Sequence, residues 1–231
     1  SQMARRGAFI VLEGLDRSGK STQVARLAEY LNAKGITASN INFPNRTTAV
    51  GSLINSYLQS GQELDDAAVH LLFSANRWEA VKNLKSRLHS GETLVCDRYA
   101  FSGVAFTAAK GTLGLEWCKN PDRGLPAPDA VIYLDVSSEV ARQRGGYGEE
   151  RYEKEEFQNK VRKVFEKLRA EDPHMWHTVD ASMSLDDVTA KITQLADAAM
   201  ARAEGGIPIQ RLWGTCEPHD MGGENVNANN L

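Results

Sequence analysis

Residues 14–22, GLDRSGKST, combine two glycines, a lysine and a serine at the spacing G-x-x-x-x-G-K-[ST]. Gly14 and Gly19 allow backbone conformations that turn amide groups toward phosphate oxygens. In such loops Lys20 would reach the β- and γ-phosphates, and Ser21 would offer its hydroxyl to Mg²⁺. An apolar strand precedes the segment and an amphipathic helix follows it, as this pattern requires. These residues therefore predict a nucleoside triphosphate site.

A second group of residues is rich in arginine and aromatic side chains. Arginine binds phosphate through a two-pronged fork, and aromatic rings stack on planar bases. We therefore expect a second nucleotide site beside the first, built from FPNR (43–46), LLFSANRWE (71–79) and DRYAFSGVAF (97–106). The guanine-reading pattern [NT]-K-x-D is absent from the sequence. A triphosphate site alone does not separate a kinase from a switch or a motor, so the second site carries that distinction.

Asp97 ends the apolar run TLVCD and is followed directly by Arg98. A carboxylate at the end of a strand beside a phosphate loop is placed to hold the hydration shell of Mg²⁺. The alternative is an ion pair between the two neighbouring side chains, with no role in chemistry.

Apolar runs without alternation predict strands that are buried on both faces, as in parallel sheets. The three clearest runs and one weaker run cover residues 8–12, 93–97, 130–136 and 175–179. Helical patterns lie between them, which predicts a doubly wound α/β fold with ligands at the carboxyl ends of the strands. One rim of the sheet then carries residues 14–22, 43–46 and 97–103.

The helical patterns have readable ends. One long helix is expected over 65–89, and a second pattern from Phe157 to Leu168 stops before Asp172 and Pro173. SLDD at 184–187 resembles a capping box that opens a final helix. The glycine-rich GGYGEE predicts a short lid over about 142–152, and the polar tail 214–231 is expected to be disordered.

The composition indicates one ordinary globular domain, expected over 4–213. Of the 231 residues, 42% are hydrophobic and 25% charged, and 27 basic against 30 acidic residues give a net charge of −3. This balance favours neither nucleic acid nor a membrane surface as partner. Cys96, Cys118 and Cys216 are too few and too far apart for a disulfide framework or a zinc site. We expect a cytoplasmic or nuclear protein without a secretory leader or a membrane span.

The chain resembles the thymidylate kinases, particularly the eukaryotic type. The resemblance runs from about Arg6 to Trp213 and rests on seven segments in order: LEGLDRSGKSTQ, FP-R, HLLFSANRWE, DRYAFSGVAFT, GLPAPD, ERYE and VDAS. It implies a P-loop NTPase three-layer sandwich, with a five-stranded parallel sheet flanked by helices and a short lid. The implied reaction transfers the γ-phosphoryl group of ATP to dTMP, giving dTDP, with Mg²⁺ and in a homodimer.

The resemblance also implies roles in the phosphate loop. Asp16 corresponds to the acid that holds the 3′-hydroxyl of the acceptor sugar, and Arg17 to the arginine that contacts the transferring group. The alternative for Arg17 is a solvated loop charge. The implied catalytic residues are Asp16, Arg17, Lys20 and Arg98, and the implied ATP ligands are Gly14, Arg17, Ser18, Gly19, Lys20, Ser21, Thr22 and Arg144. Arg144 would stack near the donor base, or else remain a solvated charge at a helix end.

For the acceptor, the resemblance assigns Arg98 and Arg46 to the phosphate. Phe73 and Arg77 are four residues apart and share a helix face, where they would stack on thymine and donate to its O4. The alternative for Phe73 is a position in the core, which its place in an apolar helical stripe would also explain. Tyr152 corresponds to the tyrosine beside C2′ of the sugar, and the implied pocket is completed by Phe43, Pro44, Gly103, Phe106 and Gln158.

One position departs from the family pattern. Met183 stands where close relatives have lysine, in a region that borders the donor base, so the preference for adenine is left open. The nearest rival is a kinase for nucleosides or for another nucleoside monophosphate. Two phosphate-directed arginines favour a monophosphate, and the Phe73 and Arg77 pair favours thymine. A regulatory nucleotide-binding module without catalysis is the rival from another class.

Overall fold

The computed structural model describes residues 6–144 and 151–214, without the side chain of Arg142. A five-stranded sheet forms its centre, in the order β2-β3-β1-β4-β5. All neighbouring strands pair in parallel. The strands are β1 (Phe9–Gly14), β2 (Ala38–Asn42), β3 (Thr93–Asp97), β4 (Ala130–Asp135) and β5 (Trp176–Asp180).

Helices connect the strands and cover both faces of the sheet. They are α1 (Lys20–Ala33), α2 (Ala49–Leu58), α3 (Asp66–Trp78), α4 (Val81–His89), α5 (Ala100–Ala108), α6 (Leu115–Lys119), α7 (Ser138–Gln143), α8 (Glu155–Glu171) and α9 (Leu185–Glu204), with a 3₁₀ turn at Asn120–Asp122. Ser184 begins α9 as expected, because its hydroxyl accepts a hydrogen bond from the Asp187 amide at 3.2 Å. α8 ends directly before Asp172, also as expected.

Two apolar cores lie on opposite faces of the sheet. On one face, Leu27 of α1 and Ile192 of α9 pack against the strands. On the other, Phe101 of α5 and Phe165 of α8 do so. Helix, sheet and helix therefore form three layers, and the expected sandwich with a five-stranded parallel sheet is confirmed.

The prediction of a single helix over 65–89 is wrong. The chain forms α3 and α4, separated at Glu79 and Ala80. The Ala80 amide donates to the Arg77 carbonyl only three residues back, while the Glu79 carboxylate accepts hydrogen bonds from Asn76 and Thr48. Two local bonds and one tertiary bond, from Thr48, thus lie at the end of α3, whereas the apolar spacing continues across the break and gives no sign of it.

The strand at one edge was not identified from apolar runs. β2 has the sequence ASNIN, and of its residues only Ala38 is buried. The predicted limits of β3 match the observed ones, and those of β1, β4 and β5 differ from the observed limits by at most two residues. The predicted lid residues 145–150 and the tail residues 215–231 lie outside the described part of the chain. Within that part, no helix is long and apolar enough to cross a bilayer.

Candidate active site

The phosphate loop joins β1 to α1 and has the backbone that its glycines predict. Gly14 has φ 150° and Gly19 has φ 90°, in the region that residues with a Cβ rarely adopt. A Cβ on Gly14 would also lie 2.7 Å from the Leu134 carbonyl oxygen and 2.8 Å from Ser18 Oγ. Gly14 is therefore required both by its conformation and by the close approach of β4.

Lys20 folds back over the loop and is buried. Its Nζ donates to the Leu15 carbonyl at 2.7 Å and to Ser18 Oγ at 3.2 Å. Burial, followed by the charge of Arg98, lowers the pKa of Lys20 to about 8, against the opposing effect of Asp97. The lysine therefore lies close to one other cation, Arg98, and to the carboxylates of Asp97, Asp16 and Glu13.

A polar cavity opens above the loop, at the carboxyl ends of β1, β2 and β3. It is lined by Asp16, Arg17, Gly19, Lys20, Ser21, Thr22, Asn42, Phe43, Pro44, Arg46, Asp97, Arg98 and Glu153. At its floor, Ser21 Oγ donates to Asp97 Oδ2 at 2.5 Å. The two predicted metal ligands are therefore adjacent.

A second, more apolar cavity continues from the first toward α3 and α5. Phe43, Pro44, Arg46, Phe73, Arg77, Arg98, Gly103, Phe106 and Tyr152 line it, together with Leu58, Val69 and Thr107. The bond from Phe43 to Pro44 is cis. Nearly all side chains predicted for the acceptor thus meet in one place, and Phe73 lines the cavity while it also packs against the small core around Ile54.

Asp16 and Arg98 form the boundary between the two cavities. Arg98 Nη2 is hydrogen bonded to Asp16 Oδ1, and Arg98 Nη1 lies 3.0 Å from Ser102 Oγ. On its other side, Asp16 accepts from Gln158 Nε2 at 2.6 Å. Gln158 therefore holds Asp16 in position. It is not among the described residues that line the acceptor cavity.

Arg17 lines the polar cavity above the loop. Its φ of 63° is unusual for a side chain of this size. Its Nη2 lies 3.3 Å from Glu153 Oε1, and the side chain remains 31% exposed. A left-handed backbone conformation at an arginine beside the phosphate loop makes Arg17 a candidate functional residue.

The sequence profile of one family, described as thymidylate kinase, matches residues 12–192. The chain belongs to the thymidylate kinase family. The resemblance stated from the seven segments is confirmed.

Relatives from distant eukaryotes match nearly the whole chain. The thymidylate kinase of Homo sapiens is 50% identical over 91% of this chain and 99% of its own length. That of Arabidopsis thaliana is 49% identical over 92% of this chain and 80% of its own. The solved structure of the thymidylate kinase from Candida albicans superimposes with a TM-score of 0.81 at 36% identity, covering 90% of this chain and 98% of that one.

Arg77 is held by a partner that the thymidylate kinase motifs do not reveal. Its Nε and Nη2 donate to Asp122 at 3.0 and 2.7 Å, and both side chains are almost fully buried. Nη1 makes no hydrogen bond within the described chain, so it remains available to a ligand. A Cβ on Gly103 would lie 2.7 Å from Arg77 Nη2, so glycine there leaves room for the guanidinium.

Glu13 is a second residue that sequence reasoning missed. It is fully buried, and its carboxylate accepts hydrogen bonds from the Tyr99 and Ser102 amides and from Ser102 Oγ, at 2.9, 3.0 and 2.5 Å. Burial raises the pKa of Glu13. The available sign was a carboxylate inside the otherwise apolar strand FIVLEG. Glu13 caps the start of α5 and so places Arg98, which precedes that helix.

Arg144 lies beside the phosphate loop. Its Nη1 donates to the Arg17 carbonyl at 3.0 Å and its Nη2 to the Ala181 carbonyl at 2.5 Å. It therefore spans from the phosphate loop to the end of β5 and is not a freely solvated charge. Met183 packs at the border of the core beneath α9.

Proposed function

We propose that the protein transfers the γ-phosphoryl group of ATP to the 5′-phosphate of dTMP, giving ADP and dTDP. The observation that carries this proposal is the pair of cavities that share Asp16 and Arg98. A triphosphate over Lys20 and a monophosphate at Arg98 would meet end to end at this boundary. In-line transfer requires this arrangement of the reacting groups.

The proposed catalytic groups neutralise charge instead of removing a proton. The acceptor is already an anionic phosphate, so no strong base is required. Lys20 and Arg17 are assigned to oxygens of the transferring group, and Arg98 and Arg46 to the acceptor phosphate. Asp16, fixed by Arg98 and Gln158, is assigned to the 3′-hydroxyl of the sugar.

Mg²⁺ is the proposed metal, held by Ser21 and Asp97. A hydroxyl and a carboxylate oxygen beside each other at a phosphate loop suit this ion, which keeps water and phosphate oxygens as its other ligands. When bound, Mg²⁺ neutralises charge on the β- and γ-phosphates. The hydrogen bond of Ser21 to Asp97 orients both side chains toward the cavity.

Selection of thymine is assigned to the wall formed by Phe73 and Arg77. The Phe73 ring offers a stacking surface, and Arg77 Nη1 is the donor proposed for O4 of the base. Because the Asp122 carboxylate fixes the guanidinium, this donor is positioned before any ligand binds. Leu58 and Val69 add an apolar wall.

The direct test is ADP formation with Mg²⁺ and ATP, measured in parallel with dTMP, dUMP, AMP, CMP, thymidine and no acceptor. Strong dependence on dTMP is the expected result. ADP formation without any acceptor, or with AMP in preference to dTMP, would contradict the assignment. Nucleotide binding without ADP would instead favour a regulatory module.

Lys20 makes nucleotide binding dependent on pH. Its pKa is about 8 in the free protein, and a bound polyphosphate would raise it toward the ordinary 10.5. Binding should therefore take up about one proton near pH 9 and almost none near pH 7, and affinity should fall as the pH rises above 8. Calorimetry in buffers of different ionisation enthalpy measures the uptake. In Lys20→Arg, whose guanidinium stays charged, the uptake near pH 9 should disappear; its persistence would exclude Lys20 as the source.

A homodimer is proposed through α2, α3 and α6. Leu53, Leu71, Trp78 and Trp117 are large apolar side chains that remain 48%, 48%, 41% and 37% exposed. Leu71 and Trp78 are seven residues apart on α3 and share a face, as expected for a self-complementary contact. Sedimentation should show a dimer that Leu71→Asp weakens; a wild-type monomer would contradict it.

The proposed compartment is the cytoplasm or the nucleus, consistent with the buried free thiols of Cys96 and Cys118.

A further inference from the structure

The side chain proposed to face the sugar, Tyr152, is held in place on several sides. Its ring stacks on Phe157 with centroids 5.3 Å apart and an interplanar angle of 22°. It also meets Phe106 at 5.6 Å. Its hydroxyl lies 2.9 Å from the hydroxyl of Tyr57, at the end of α2. The position of this ring therefore depends on a hydrogen bond to a helix outside the catalytic loops.

Tyr57 is itself fixed by Lys110, which follows α5. Lys110 Nζ lies 3.1 Å from Tyr57 Oη and 2.8 Å from Asp66 Oδ1. An ammonium group can only donate, so Tyr57 Oη accepts this bond. Tyr57 is 2% exposed, so water does not readily replace either partner of its hydroxyl. Three separate segments of the chain thus converge on one phenol oxygen.

The backbone beside Tyr152 is tied to the same helix. The Arg151 amide donates to the Leu58 carbonyl at 3.2 Å, and Arg151 Nε donates to the Tyr57 carbonyl at 3.1 Å. The Arg151 guanidinium also lies over the Tyr57 ring, 4.3 Å from its centroid. Tyr152 therefore cannot move away from the sugar without breaking its hydroxyl bond inside a packed environment.

We propose that Tyr57 and Lys110 are positioning residues for sugar selection. They hold the Tyr152 ring in a fixed position beside C2′, so that a ribose 2′-hydroxyl would clash with the ring. The inference rests on the proposed dTMP kinase activity and extends it to two residues that do not line the acceptor cavity as the described chain forms it. Displacing the Tyr152 ring would break the hydrogen bond between the Tyr152 and Tyr57 hydroxyls inside the protein. The free-energy cost of this broken bond is what excludes ribonucleotides.

The test compares dTMP with ribothymidine 5′-monophosphate in Tyr57→Phe and Lys110→Met. The ratio of kcat/KM for the ribonucleotide to kcat/KM for dTMP should rise about tenfold in each variant, the size expected for one buried hydrogen bond. Lys110→Arg, which keeps a charged donor, should return the ratio toward that of the wild type. A merely structural role would lower both values together and leave the ratio unchanged, and that result overturns the proposal.

A cluster of the same three residue types, more exposed to solvent, lies elsewhere in the protein and provides the control. Lys34 Nζ lies 3.1 Å from Tyr30 Oη and 3.1 Å from Asp197 Oδ1, between α1 and α9. Tyr30→Phe and Lys34→Met remove the same chemistry far from the acceptor cavity and should leave the ratio unchanged. A rise in these variants equal to that in Tyr57→Phe would overturn the proposal, because the effect would then be general.

Binding measured by calorimetry separates this inference from the proposed function. If the protein binds dTMP but forms no dTDP, the proposed activity is wrong. The ratio of the dissociation constants for dTMP and ribothymidine 5′-monophosphate would still decide the role of Tyr57 and Lys110. Tyr152→Ala should admit the ribonucleotide. If Tyr152→Ala accepts the ribonucleotide while Tyr57→Phe and Lys110→Met do not, only the positioning role of Tyr57 and Lys110 is overturned. If Tyr152→Ala also rejects the ribonucleotide, sugar selection by Tyr152 is overturned as well.

Discussion

Arg17→Gly is expected to lower kcat about a thousandfold while the KM for dTMP changes less than about threefold. Arg17 lines the polar cavity above the phosphate loop, and we propose that its contact with the transferring group forms in the transition state. Substrate binding is assigned in this proposal to other residues of the same cavity, chiefly Lys20, Arg98 and Arg46. Steady-state kinetics with varied ATP and dTMP give both parameters.

Glycine suits this position because the Arg17 backbone has φ 63°, so the variant should fold at least as stably as the wild type. Ser60→Gly is the matched control, since Ser60 has φ 58° and lies in an exposed turn outside the site. It should leave kcat unaltered. A variant of Arg17 that keeps its kcat and raises only KM would show that the arginine contributes uniform binding.

Asp122→Ala is expected to reduce the free energy of unfolding by about 3–5 kcal/mol. The substitution leaves the Arg77 guanidinium buried without its counter-charge, and it also removes the acceptor of Ser74 Oγ at 2.8 Å. Denaturant unfolding measures the loss. The KM for dTMP should rise too, because the donor proposed for O4 is no longer fixed.

Asp186→Ala is the control for this effect. Its carboxylate, 86% exposed, pairs with Arg26 at 2.8 Å, and its loss should cost at most about 1 kcal/mol. A double variant, Arg77→Met with Asp122→Leu, should recover much of the stability but not the affinity for dTMP. Equal small losses in the free energy of unfolding for Asp122→Ala and Asp186→Ala would show that the buried ion pair does not stabilise the fold. Recovery of dTMP affinity in the double variant would show that Arg77 does not recognise the base.

Much of the fold follows from local patterns. Strands β1, β3 and β4 are apolar because both of their faces are covered, so their runs stand out in the sequence. The polar edge strand β2 could not be identified this way, because it is covered by its neighbours only in part. The break between α3 and α4 depends on hydrogen bonds to Thr48, which periodicity does not register.

The same distinction between local patterns and tertiary contacts applies to the candidate site. Residues within the motif-bearing segments were predicted because a loop, a strand end or a helix face places them together. Their supporting partners were not, because these come from distant parts of the chain: Asp122 is 45 residues from Arg77, and Tyr57 is 95 residues from Tyr152. Glu153, which pairs with Arg17, lies inside the quoted segment ERYE, yet its type alone gives no reason to prefer it over its neighbours.

The capping of α5 by Glu13 has a consequence for how substrates are accommodated. β1 leads directly into the phosphate loop, and its Glu13 also anchors the helix that follows Arg98. The two proposed phosphate positions would thereby belong to one preorganised block, with a spacing that is set before either nucleotide binds. Closing movements in this enzyme should therefore exclude water around the reacting ends without changing the distance between them.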